Sequence, residues 1–319
     1  MSNSVTFVDN TFNGQAAGQF ILDCVSENQT VQGGHIYLQT GFNKKITLPR
    51  FRVGGNLIQD YTPTPTAQGQ LNISEVTLPL FDNQVYLEFH PNEFRDFWEP
   101  YQPSPDQPFT LSTLPTQVLA DMTSQIIAES GFDVAQCIWM GNRGASPAPA
   151  YPLDRFVGII PQLENSADTI NLSGAVTLTS ANILDKLQDV YLSIPKACLR
   201  RQDMKIFVST GAAQLYQEAL VATSGKGPLS NTADPLDTLN FKGVRVVSTD
   251  EFPENTIVAA ESGTNGRTSN FHFGATNIQN ESIVQVNRVQ ANSELYFMKL
   301  IFNAGTAVAK PDEVVLYKA

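Results

Sequence analysis

Lys45-Ile-Thr-Leu-Pro-Arg-Phe-Arg-Val53 and Leu71-Asn-Ile-Ser-Glu-Val-Thr-Leu-Pro-Leu80 are two strand-like stretches on either side of a soft turn. Apolar residues alternate at Ile46 and Leu48, then at Phe51 and Val53 after Pro49. In the second stretch they alternate at Leu71 and Ile73, then at Val76, Leu78 and Leu80. Period-two alternation marks strands with one covered face. Proline cannot donate to a ladder, so Pro49 and Pro79 belong on edges or at bends. Two strands that both carry proline predict a free-standing ribbon, not the centre of a sheet. Its tip is Gly54-Gly-Asn through Tyr61-Thr-Pro-Thr-Pro-Thr-Ala-Gln-Gly-Gln70. A two-stranded ribbon alone is marginal in water. A long one therefore predicts support from another chain, with an ordinary hairpin packed on its own domain as the alternative.

On the N-terminal side, residues 1–32 are rich in Asn, Gln, Gly and Thr, with scattered Phe7, Phe12, Phe20, Ile21 and Leu22. This composition predicts an extended arm that becomes ordered on a neighbouring surface. His35-Ile-Tyr-Leu is a short strand, and Val85-Tyr-Leu-Glu-Phe89 continues the second ribbon strand. On the C-terminal side, residues 91–108 are punctuated by proline and by Phe94, Phe97, Trp98 and Tyr101. A helix follows, capped by Ser112 or Thr113 with Pro115 in its first turn. Leu114, Val118, Met122 and Ile126 recur every four positions, and Leu119 and Ile127 widen the stripe. Gly131 marks its end or a break. An apolar stretch from Phe132 to Met140 then leads to a Pro/Ala-rich turn at 145–152.

A second helix begins near Thr179 or Ser180, with Ile183, Leu184, Leu187, Val190, Tyr191 and Ile194 on its apolar face and Pro195 as its stop. Met204–Ser209 is a strand, and Ser209 or Thr210 caps a third helix. A loop from Ser224 to Asp237 precedes strands at Val244–Ser248 and Thr256–Ala260, and three strand candidates close the chain near 283–289, 294–302 and 314–318. The order is mixed α+β without repeats. At 319 residues the chain predicts two lobes or one large mixed domain.

Charged residues make up only 16% of the chain, which suits a surface that meets copies of itself. The net charge of −11 argues against phosphate-led nucleic-acid binding. Lys44–Lys45 and Arg200–Arg201 read as isolated, solvated pairs. No secretory signal and no membrane span is legible. Cys24, Cys137 and Cys198 fit neither a disulfide framework nor a metal motif. The sequons at Asn28, Asn72, Asn171 and Asn280 then read as chance matches, and synthesis in a reducing cytoplasm is expected.

Motifs for chemistry are lacking. G-x-S-x-G, which sets a serine on a strained turn, is absent. Ser224-Gly-Lys-Gly227 has glycine where a P-loop needs its hydroxyl and lacks the earlier glycine. Gly14 and Gly18 open no strand–helix unit. His35, His90 and His272 have no zinc-site spacing and read as structural hydrogen-bonders. No carboxylate pair stands out for acid–base work. No catalytic residue, cofactor or metal is expected, and the chain does not read as an enzyme.

The C-terminal half carries an ordered series. Asn182-Ile-Leu-Asp-Lys-Leu-Gln-Asp-Val-Tyr-Leu-Ser-Ile-Pro195 is followed by Met204-Lys-Ile-Phe-Val-Ser209 and Ala213-Gln-Leu-Tyr-Gln-Glu-Ala219. Phe241-Lys-Gly-Val-Arg-Val-Val247, Phe252-Pro-Glu-Asn-Thr-Ile-Val-Ala259 and Asn270-Phe-His-Phe-Gly274 come next. Tyr296-Phe-Met-Lys-Leu-Ile-Phe-Asn-Ala-Gly305 and Pro311-Asp-Glu-Val-Val-Leu-Tyr317 complete it. This succession resembles the major capsid proteins of tailed bacteriophages with the Hong Kong 97-type fold.

The resemblance implies an α+β fold with an N-terminal arm and start of the peripheral domain (1–41) and an extended β-hairpin loop (42–90). A peripheral domain with a long spine helix (91–179), an axial domain (180–283) and a return to the peripheral domain (284–319) follow. It implies a virion capsid protein, assembled in the bacterial host cytoplasm, that self-assembles into pentamers and hexamers of an icosahedral shell. That shell would enclose double-stranded DNA without specific binding. Heterologous ring contacts close such shells, and arm and hairpin add many weak contacts. The implied partners are copies of the chain, a portal, cementing proteins and a scaffolding protein. The scaffold is expected to be separate, because the chain opens directly on the arm. Some members crosslink a hairpin Lys to Asn, but residues 54–70 contain no Lys, so non-covalent clasping is expected. The alternatives are an encapsulin-like cellular nanocompartment shell and, from another class, a mixed-fold hydrolase with the long loop as lid.

Overall fold

The structure is a computed structural model that describes residues 10–12, 29–42, 44–55, 57–61, 63–64, 66, 68–90, 116–150, 152–174, 176–224, 239–275, 284–290 and 295–319. In chain order the strands are β1 (Asn10–Phe12), β2 (Tyr37–Gln39), β3 (Lys45–Gly54), β4 (Gln70–Pro79), β5 (Phe81–Phe89), β6 (Ile170–Asn171) and β7 (Met204–Ser209). They continue as β8 (Asn240–Phe241), β9 (Val244–Thr249), β10 (Thr256–Glu261), β11 (Phe271–Ala275), β12 (Val284–Arg288), β13 (Tyr296–Val308) and β14 (Val315–Lys318). The helices are α1 (Gln29–Gln32), α2 (Thr116–Met140), α3 (Ile159–Asn165), α4 (Ile183–Ser193) and α5 (Thr210–Ser224), with a 3-10 turn at Pro311–Glu313. The expected mixed α+β class is what the structure has. Most of the arm, the proline–aromatic stretch 91–108, the caps of the first long helix and the loop 225–237 lie outside the described residues.

Three sheets organise the described residues. β13 is the axis of the first, in the order β1-β12-β13-β11-β2, with β5 also paired to β13. The second runs β6-β14-β10-β7-β9-β8. The third is the ribbon β3–β4 by itself. The sheets cut across the segments expected from sequence. Val85–Phe89 does not continue the second ribbon strand: β4 ends at Pro79, and these residues belong to β5, which pairs along β13 in the first sheet. β11 also belongs to the first sheet with β13, and β6 and β14 belong to the second, where β14 pairs with β10.

The second sheet is a filled layer. Every residue of β7 and β10 is buried, as continuous apolar strands covered on both faces should be. One face, with Ile206, Val208, Ile257 and Ala259, packs on Leu187 and Val190 of α4 and Ala213 and Tyr216 of α5. The other, with Phe207, Val247, Val258 and Ala260, joins the core of the first sheet. β7 and β9 are parallel, with α5 in the connection between them. The Ser209 hydroxyl accepts from the Ala212 amide and so caps α5. α4 starts at Ile183, later than expected, because residues 179–182 form a turn: the Thr179 amide donates to the Asn182 side chain at 2.8 Å. Its apolar face is otherwise the expected one, with Ile183, Leu187, Val190 and Ile194 buried and Leu184 and Tyr191 packed against them.

α2 corrects one expectation. Gly131 neither ends nor breaks it; the helix runs 25 residues to Met140. An interior glycine costs about 1 kcal/mol relative to alanine. Burial of Val134, Cys137, Ile138 and Trp139 beyond it outweighs that cost. Trp139 meets Phe207 of the second sheet and Phe271 of the first, and its indole N–H donates to Thr30 at 3.1 Å.

Candidate assembly surface

The ribbon is where the polypeptide leaves its own core. β3 and β4 are ten residues each, in register from Lys45 opposite Pro79 to Gly54 opposite Gln70. At about 3.4 Å per residue such a ribbon spans roughly 30 Å. Cross-strand pairs share a face, and successive residues alternate faces. Ile46, Leu48, Val76 and Leu78 therefore lie on one face, and Phe51, Val53, Leu71 and Ile73 on the other. The apolar face inverts at one level, where Pro49 stands opposite Glu75 and Arg50 opposite Ser74.

The two halves have different surroundings. At the base, Leu78 is fully buried. β11 and β13 carry Gly274 opposite Gly305 beneath it. A Cβ on Gly305 would overlap the carbonyl oxygen of Pro79, and one on Gly274 would crowd Phe42, Leu78 and Leu80. The glycine pair is a seat that lets the ribbon backbone lie directly on the sheet. The outer half is bare: Phe51 is 67% and Ile73 63% exposed, with Val53 and Leu71 similarly open. At the tip, Ile58 and Tyr61 are almost entirely exposed. A contiguous apolar patch of this kind marks an interaction surface.

Charges fix the side that faces the body. Arg50 Nη2 donates to Asp312 Oδ1 at 2.6 Å, and Arg52 Nη2 lies 3.1 Å from Oδ2. Both arginines share the face of Ile46 and Leu48. The face bearing Phe51 and Ile73 is the opposite one. The next residue, Glu313, takes Arg201 in a two-pronged pair at 2.6 and 3.1 Å, and Arg201 also pairs with the buried Glu261. These carboxylates hold the guanidinium charged more firmly than usual. Arg201 is thus not the solvated surface charge expected from sequence; Arg200 and the Lys44–Lys45 pair are exposed.

The residues weighed for chemistry do not converge. His35 and His272 are buried in different settings: the Lys205 ammonium lies 3.4 Å from His35 Nδ1, whereas His272 Nε2 lies 3.0 Å from the Ser269 carbonyl oxygen. Burial pushes the His272 imidazole below its usual range. Cys137 and Cys198 are free and buried, and burial pushes the Cys137 thiol up to about 12. Cys24 lies outside the described residues. Among the described residues, no group of three or more His, Cys, Asp or Glu could hold a metal ion. No described helix is long and apolar enough to cross a membrane. The sequence reading missed the Asp312 and Glu313 pairs and the glycine seat. Their partners are separated by up to 262 residues, and no local pattern announces them.

No protein-family model matches the chain, and no curated protein matches it in sequence. Its fold does match. The capsid of a native GTA particle is similar at a TM-score of 0.57 and 12% identity, over 93% of this chain and 91% of that one. A chain of the satellite phage P4 procapsid, which includes the size determination protein, is similar at 0.56 and 12%, over 93% and 97%. A protein of Mycobacterium phage Ogopogo is similar at 0.55 and 11%, over 91% of each chain. The expected tailed-phage capsid fold is the fold of this chain.

Proposed function

We propose that this chain is a major capsid protein that assembles with copies of itself into a closed icosahedral shell around double-stranded DNA. The observation that carries the reading is the inverted ribbon: its base is seated on its own sheet, and its outer half presents an apolar face directed away from it. The fold supports the reading, because it is shared with phage capsid structures over nearly the whole chain. In this proposal the ribbon is the extended loop, α2 the spine of a peripheral domain built on the first sheet, and the second sheet with α4 and α5 the axial domain. The segments 42–90, 91–179, 180–283 and 284–319 take these roles in the proposal, except that β5 and β11 belong to the first sheet and β6 and β14 to the second. Pentamers and hexamers close the shell in this proposal. The acidic balance suits a wall that contains DNA without gripping it. Scaffolding, portal and cementing proteins are the further partners proposed, and its place is the virion, reached by assembly in the host cytoplasm. The chain acts as a structural protein, not an enzyme.

Electron microscopy of purified protein, alone and with its scaffold, should reveal shells or ring-shaped capsomers. Deleting Val53 to Gln70 should leave a folded subunit and impair shell stability. A monomer that never assembles in any salt or scaffold condition overturns the reading, as does unfolding of the subunit on that deletion. Shells that hold protein cargo in place of DNA would assign it to cellular compartments instead.

A further inference from the structure

We propose that Asp312 is a latch that pre-orients the ribbon, so that its outer apolar face is presented to a second copy of this chain. The inference rests on the shell reading for the identity of the docked partner, but not for the latch itself. Three observations compose it. The glycine pair Gly274–Gly305 seats the ribbon at one end and leaves the base little room to slide. Farther along, one carboxylate gathers Arg50 and Arg52 from the body-facing side. The turn that carries Asp312 is itself held from behind, because Glu313 grips Arg201 and Lys310 lies 3.8 Å from Glu313. Seat and latch define the line of the ribbon, and the residues beyond Arg52 project from it.

The latch is built to be modest. The Arg52 side chain is 70% exposed, whereas Arg50 is 19% and Asp312 22% exposed, so the Arg50 pair is the stronger half and both keep contact with solvent. Ion pairs of this exposure are individually weak and screened by salt within about 10 Å at 0.1 M. Such a contact does not hold the subunit together. It narrows the orientations that a long ribbon samples, and binding gains when a mobile segment is ordered beforehand. Asp312 is a positioning residue for the contact that Phe51, Val53, Leu71 and Ile73 make.

The test uses spin labels at Ile58→Cys on the tip and Lys242→Cys on the body, in a Cys24→Ser background, with the unassembled subunit at low ionic strength. A narrow distance distribution is expected. Asp312→Asn, or 1 M salt, should broaden it and lower the odds of the latched orientation about fivefold. Combining Asp312→Arg with Arg50→Asp and Arg52→Asp should restore the narrow distribution, which a general loss of folding could not do. The yield of shells from Asp312→Asn at low salt should fall with the latched fraction. A distribution indifferent to Asp312 and to salt overturns the latch, whatever the shells do. A salt-sensitive latch in a protein that never forms shells leaves the latch standing and removes the shell reading.

Discussion

Glu251 shows how a single side chain can work against its own fold. It is 5% exposed, and its Oε2 has no hydrogen-bond partner among the described residues. Burial first, and the charge of Asp250 beside it, raise its carboxyl above the usual range. A carboxyl raised on folding binds its proton more tightly in the native state. Its favourable contribution is complete below the unfolded value of about 4.3 and is lost as pH rises through the folded value. Glu251→Gln should therefore stabilise the subunit at pH 7 by roughly 1 kcal/mol, discounted for partial solvent screening, and change little near pH 4. Urea unfolding of both proteins at the two pH values checks this; an equal difference at both would exclude titration of Glu251 as the cause. Nothing in the sequence around Glu251 reveals its burial, since Thr249-Asp-Glu-Phe252 reads as a polar turn. Arg201 departs from its expected solvated role for the same reason. A charge is classified by what the fold brings to it, and Glu313 comes from 112 residues away.

At the scale of the element, the ribbon was legible and its consequence only partly so. The alternation, the prolines and the soft tip predict two edge strands standing alone, and the structure has them as a separate two-stranded sheet. Each strand also shifts the phase of its apolar residues. Only the register places the two shifts opposite each other, at Pro49–Glu75, and so turns two irregularities into one inversion of the face. The inversion makes a contrast that can be measured. Phe51→Ser with Ile73→Ser should leave subunit stability within about 0.5 kcal/mol, because both side chains are exposed. The same pair should abolish or greatly weaken shells, since each such side chain buried at a contact contributes about 1.5–3 kcal/mol in every subunit. Leu78→Ala, on the other face, should cost the subunit itself about 2–5 kcal/mol. Urea unfolding together with particle counts by electron microscopy reads both effects. Destabilisation of the subunit by the Phe51–Ile73 pair would place the outer half in its own core. α2 is the reverse case: Gly131 is a valid local stop signal, and the buried residues past it override it.

For the whole molecule, the length left two lobes and one large domain open, and the core decides between them. Phe207, Val247 and Val258 of the second sheet share one cluster with Phe271, Phe273 and Leu300 of the first, and Trp139 stands at their junction. Its ring centroid lies 5.2 Å from that of Phe207, 4.8 Å from Phe252 and 5.9 Å from Phe271. Lys205 adds a polar tie across the same junction, donating to the Gly34 carbonyl at 3.2 Å. Two sheets with a shared core cannot unfold separately without exposing that cluster, so they should melt as one unit. Under the proposed shell role this matters, because strain applied at the ribbon is then resisted by the entire body and not by one lobe. With Trp98→Phe making Trp139 the sole tryptophan, fluorescence at the junction and far-ultraviolet circular dichroism should report the same urea midpoint. Trp139→Ala should lower that midpoint by an equivalent of about 3–5 kcal/mol in both sheets together. Separate midpoints for the two probes would mean that the sheets are independent lobes, and that Trp139 belongs to only one of them.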